Sequence, residues 1–215
     1  MSNATFHPTA VKAVNKALVQ IGHDVTVELL DEESEVPEEK KAAFVYDESR
    51  RQVLRDHAWG FARREAPATS WFAPTHPGDL YPHHAEMPPD ALQVVGVKDC
   101  AGRDAEYTIV DREIRASVPF ALVVYTADLE DLDRWSAGAY KALVLRLAAD
   151  LSKIITGRIN ERELQERAYA AEIRAAKLQD SRSVNVSKSA WGDNYYVERM
   201  MGRRCARAVR RPFGI

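Results

Sequence analysis

The amino-acid sequence predicts an α+β protein: a helical bundle of N-terminal helices plus a long C-terminal helical hairpin, an inserted antiparallel β-domain, and an extended C-terminal arm. Three observations predict it. Apolar residues recur at helical spacing near both ends of the body, strand-like runs fill its middle, and charge divides the chain. The last 34 residues, 182–215, hold eight Lys/Arg against two Asp/Glu, a net charge of +6. The 181 residues before them hold 22 against 30, a net −8. On this reading residues 1–59 and 135–181 make the helical domain, 60–134 the β-domain and 182–215 the basic arm.

The first helix is expected to start at Thr9 as N-cap, with Val11, Val14, Leu18 and Ile21 on one face and Gly22 as its stop. An acidic connector, residues 31–39, leads to a second helix whose first turn suits Pro37, Glu38 and Glu39. That helix runs to about Asp56. Ala43, Tyr46, Arg50, Leu54 and His57 share one of its faces, which therefore mixes core and polar contacts. From Gly60 the period changes: residues 61–72, 92–98, 105–110, 113–118 and 121–127 are short runs rich in Val, Ile, Tyr or Trp, separated by turn residues. Asp111-Arg112 suits a tight hairpin. The stretch 74–89 contains five prolines and reads as an irregular surface loop, because Pro removes donors and steers its predecessor away from helix.

Two long helices close the body. Over residues 137–156, Tyr140, Leu143, Val144, Leu147, Leu151, Ile154 and Ile155 form one apolar stripe that Gly157 ends. Asn160 and Glu163 resemble a capping box for the next helix, supported by a Glu163–Arg167 pair. Leu164, Ala168, Ala171, Ala175 and Leu178 are its expected buried seam, narrow enough for two helices to approach closely.

Composition narrows the function classes. An apolar fraction of 46% and a charged fraction of 29% belong to a soluble globular protein. Cys100 and Cys205 are too few for a disulfide framework, which points to synthesis in a reducing cytoplasm. The N-terminus has no secretory pattern, and Lys141, Arg146, Asp150 and Lys153 interrupt the longest apolar run, so no membrane span is expected.

Candidate chemistry is sparse. His76, His83 and His84 share one proline-rich loop, but no fourth ligand stands at a metal-binding spacing, so a solvated loop and no metal are expected. Cys100 has no base marked out for it, no phosphate-cradling glycine motif occurs, and the pairs Glu32-Glu33 and Glu130-Asp131 lie on connectors where charge is solvated. The expectation is a protein without catalysis or cofactor. Trp59 and Phe61 are expected as core anchors.

The arm is different. Trp191, Tyr195, Tyr196 and Phe213 are strung among Gly, Ser and Asn, together with Arg199, Arg203, Arg204, Arg207, Arg210 and Arg211. So few aliphatics cannot offset an ordering cost of roughly 1–2 kcal/mol per residue. Arginine rather than lysine favours bidentate contact with carboxylate or phosphate. These ten residues are the candidate partner-binding site.

Several stretches in order resemble the tail tubular protein A family, the head-to-tail adaptors of short-tailed phages. They are Asn15-Lys16-Ala17-Leu18 with Ile21-Gly22; Tyr46, Arg50, Leu54 and His57-Ala58-Trp59-Gly60-Phe61-Ala62; Trp71; and Pro89-Asp90-Ala91-Leu92-Gln93-Val94. Trp135, Ala142-Leu143, Leu147-Ala148-Ala149-Asp150-Leu151, Ile155-Thr156, Leu164, Tyr169 and Ala175-Ala176-Lys177 complete the set. The family often has proline where this chain has Ala58, and the motifs do not cover the arm. The resemblance implies a non-catalytic virion component of the tail or neck, assembled in the host cytoplasm. It implies a twelve-fold homo-oligomeric ring between portal protein and tail nozzle protein, through which DNA passes without specific binding. An alternative from the arm alone is a nucleic-acid-binding module whose arginines grip phosphates.

Overall fold

The computed structural model describes residues 8–157 and 159–183. The chain is mixed α+β, with four α-helices and two antiparallel sheets among the described residues. It divides into two compact units, one formed by the chain through Ala62 together with residues from Asp128, the other beginning at Arg63 and including the chain to Ala127.

In the helical unit, α1 (Pro8–Gln20) buries Ala10, Ala13, Val14, Ala17 and Leu18. It ends where expected: Gly22 adopts φ 71°, a left-handed conformation open to glycine at no steric cost. Thr9 does not cap it. It lies inside the first turn, and its hydroxyl donates to Asp133 Oδ1 at 2.8 Å. Helix α2 (Pro37–Arg55) opens with proline in its first turn, as the sequence predicts, and buries the mixed face of Ala43, Tyr46, Arg50 and Leu54. Trp59 follows it, fully buried, its indole N–H donating to the Val53 carbonyl at 2.8 Å. Phe61, half-buried, stacks between Trp59 and Trp135 at ring separations of 5.6 and 5.4 Å. The expected aromatic anchor is therefore a three-ring stack.

Helix α3 (Ala137–Leu151) is the hub, packing against α1, α2 and α4 (Ile159–Ser183). Ser136 caps it by accepting from the Ala139 N–H. The apolar stripe does not continue to its expected end. The ladder widens to a π-turn over Ser152–Thr156, which rotates the following side chains, so Leu151 is fully buried while Ile154 is exposed. Gly157, at φ 65°, then ends the segment.

The seam of α4 is also rotated from expectation. Leu164, Ala171, Ala175 and Leu178 are exposed and Ala168 is half-buried; Gln165, Ile173 and Ala176 are buried instead. The reason is polar. Tyr169 donates to Asp56, Asp180 accepts from the Gly60 N–H and meets His57 Nε2 at 3.1 Å, and Glu172 holds Lys141 at 2.7 Å. Tyr169, Glu172 and Asp180 each stand four positions from Ile173 or Ala176, on the same side of α4, and their bonds hold that side inward. Asn160 lies inside the first turn of α4 rather than capping it, whereas the Glu163–Arg167 pair forms at 3.7 Å.

In the β-unit, one sheet has the order β1 (Arg63–Pro67), β7 (Phe120–Ala127), β4 (Ala91–Asp99). The other has the order β2 (Trp71–Phe72), β3 (His83–Glu86), β6 (Glu113–Ala116), β5 (Tyr107–Val110). The run 61–72 thus splits into two strands of different sheets. The stretch 74–89 is not wholly irregular: its prolines bracket β3, which pairs Ala85 with Ile114 and His83 with Ala116. A proline-free tetrapeptide between Pro82 and Met87 keeps every ladder donor. The hairpin at Asp111-Arg112 is as expected, with φ of 48° and 65°, the left-handed pair that matches strand twist. Ala85, Ile114 and Ala116 from one sheet and Val94, Val97, Phe120, Val123 and Tyr125 from the other share one core. Among the described residues β1 is an outer strand, and it exposes Arg63, Arg64 and Glu65.

Candidate interaction surfaces

The arm residues Trp191, Tyr195, Tyr196, Arg199, Arg203, Arg204, Arg207, Arg210, Arg211 and Phe213 lie outside the described residues.

The first surface of the helical unit is a groove of about 710 Å³ between α1 and α3. Lys12 and Lys16 are one helical turn apart on the outer face of α1, and Lys141 enters from α3. Val19, Tyr140 and Val144 supply an apolar floor, and Val19 is 71% exposed. The Lys16 ammonium lies 4.8 Å from the centre of the Tyr140 ring, a cation–π contact that holds it over the floor. Among the described residues neither Lys12 nor Lys16 has a carboxylate within ion-pair distance, whereas Lys141 is held by Glu172. Lys141 figures in the sequence only as an interruption of an apolar run; the i,i+4 spacing of Lys12 and Lys16 opposite the buried face of α1 was the signal that could have found the groove.

The second is the acidic connector, which is a built loop. The Asn15 carboxamide clamps Val27 from both sides, donating to its carbonyl at 2.9 Å and accepting its N–H at 2.8 Å. Val27 and Leu30 are buried. Glu39, at the start of α2, accepts the N–H groups of Glu28 and Leu29 at 3.1 and 3.2 Å and the Ser34 hydroxyl at 2.6 Å. The Ser34 bond, and then the two backbone donors against opposing burial, hold its carboxyl below the usual range. Asp31, Glu32, Glu33 and Glu35 are left on the outside, beside the exposed Leu29 and Val36.

The third is polar and internal. Arg50, only 1% exposed, ion-pairs with Asp128, which also accepts from Arg51 at 2.9 Å. Ser49 and Arg146 converge on Asp150 at 2.8 and 2.9 Å. Burial first, then Asp56, pushes the Tyr169 hydroxyl up, so it remains a donor. Every charge has its partner, which suits holding helices in register more than chemistry.

The histidines separate. His83 and His84 are on β3, with His84 buried and its Nδ1 3.1 Å from Glu113, while His76 stays in the exposed loop. Burial, and then His84, hold His83 below its usual range. Among the described residues no three His, Cys, Asp or Glu side chains are grouped to hold a metal ion, and no helix is long and apolar enough to cross a membrane. Compared with known proteins, the chain matches no family model and no curated protein sequence.

Proposed function

We propose that this chain is a structural virion protein, a head-to-tail adaptor of the kind found in short-tailed phages. It forms a ring between portal and tail nozzle and lengthens the DNA channel, without catalysis. The observation that carries the reading is the ordered set of residues, from Asn15 to Lys177, shared with the tail tubular protein A pattern. Many of those residues, among them Leu18, Tyr46, Leu54, Trp59, Trp135, Leu143, Leu147 and Leu151, are buried here, as fold-defining positions should be. A helical hairpin with an inserted β-domain offers the unlike faces that a closing head-to-tail ring requires. A body of net charge −8 suits a conduit, because duplex DNA slides past a wall that does not attract phosphate.

The arm, 182–215, docks on the portal, its aromatics filling crevices and its arginines meeting acidic surface. A ring presents many arms at once, and avidity multiplies weak single contacts by roughly 10²–10⁴. Deleting residues 186–215 leaves a folded protein that no longer captures portal rings in a pull-down; unchanged capture refutes the reading. The six arginines also favour a second reading, phosphate binding. Were it right, affinity for duplex DNA would fall with salt at a log–log slope near −5, about −0.9 per contact.

A further inference from the structure

The groove and the acidic loop have opposite needs. Lys12 and Lys16 carry charge without a carboxylate partner among the described residues, above an apolar floor of Val19, Tyr140 and Val144. The loop presents Asp31, Glu32, Glu33 and Glu35, none with a cationic partner among the described residues, around the exposed apolar Leu29 and Val36. Its backbone is set in advance by the Asn15 clamp and by Glu39, so seating it costs little ordering entropy.

We propose that the groove between α1 and α3 receives the acidic segment, residues 28–36, of a second copy of this chain. Carboxylates of the segment meet Lys12, Lys16 and the outer side of Lys141, while Leu29 and Val36 cover the Val19–Tyr140–Val144 floor. Charge selects this occupant. This chain's own arm, at net +6, would place like charge against the three lysines. Groove and segment are different patches of one copy, adjoining at Asn15, and within a ring their contact is heterologous. Each copy gives its segment to one neighbour and its groove to the other, and association propagates until it closes. The proposal deepens the ring reading and rests on it for closure.

The test uses the full-length chain in sedimentation velocity, at about 25 mM and about 300 mM NaCl, conditions that change the screening length severalfold. Wild type is expected to form oligomers at low salt and to associate at least about tenfold more weakly at high salt. The variants Lys12→Glu/Lys16→Glu and Glu32→Lys/Glu33→Lys should each sediment as monomers, and a mixture of the two should regain oligomers, because each reversed face then meets its complement. All four positions are exposed, and unfolding curves matching wild type confirm intact folding. Wild type that stays monomeric at about 200 µM in low salt, oligomers that either variant retains, or a mixture that fails to reassemble overturns the proposal. Portal capture separates the two ideas. Reversal variants that assemble like wild type while arm deletion abolishes capture remove only this interface; capture that survives arm deletion removes the docking reading instead.

Discussion

Gly138 of α3 and Ala176 of α4 touch so closely that a β-carbon on Gly138 would stand 2.9 Å from the Ala176 β-carbon and 3.3 Å from its α-carbon. Glycine here serves close approach, since no unusual backbone angle requires it. Gly138→Ala raises helix propensity by about 1 kcal/mol, yet it must push α4 outward. We expect a net loss of about 1–3 kcal/mol in urea unfolding, the usual cost of overpacking. A gain in stability would mean the two helices yield freely.

The rotation of α4 can be tested the same way. Ile173→Ala, in the buried line, should cost about 2–4 kcal/mol. Leu164→Ser and Leu178→Ser, on the exposed flank, should each stay within about 0.5 kcal/mol in the dilute chain. Equal losses at all three positions would place the seam where the sequence pattern alone puts it.

Arg50 is buried and its partner Asp128 half-buried, so the halves of this ion pair are not equivalent. Removing the acid by Asp128→Ala leaves a guanidinium that is 1% exposed with the more distant Asp47, at 3.4 Å, and should cost about 3 kcal/mol, the low end for a broken buried pair. Arg50→Met keeps most of the volume and removes the charge, so its loss should be clearly smaller. Thermal unfolding of the two variants side by side gives the order.

Glu39 links the acidic loop to pH. Its carboxyl is held below the ordinary value of 4.5, chiefly by the Ser34 hydroxyl, so its contribution is complete above that value and fades as pH falls below it. Glu39→Gln should destabilise by about 1–2 kcal/mol at pH 7. The gap to wild type should narrow in acid, and a constant gap from pH 7 to pH 3 would assign the bonds no dependence on charge.

Where periodicity and turn chemistry act locally, the sequence was readable. The Gly22 stop, Pro37 at the start of α2, the mixed face of Tyr46 and Arg50, and the Asp111-Arg112 turn each depend on a few neighbouring residues. What long-range partners decide was not readable. Alanines at 168, 171 and 175 look like a seam, but Tyr169, Glu172 and Asp180 find Asp56, Lys141 and His57, each more than thirty positions away in the chain, and these turn the helix. The π-turn at Ser152–Thr156 inserts a rotation that no period-3.6 template contains. The groove joins Lys16 to Tyr140 across 124 positions, which only the packing of α1 on α3 brings together. The ten arm residues stand on sequence alone.

The charged margin of β1 bears on life in a crowd. A protein that gathers beside many identical copies risks having its open backbone ladders zip together, irreversibly and out of place. Any chain attempting to add beside Arg63, Arg64 and Glu65 would have to strip water from three ionised heads, and Pro67 offers it no amide hydrogen at the end. Growth along that border is discouraged before it begins, and copies that meet are left to recognise one another by their side chains.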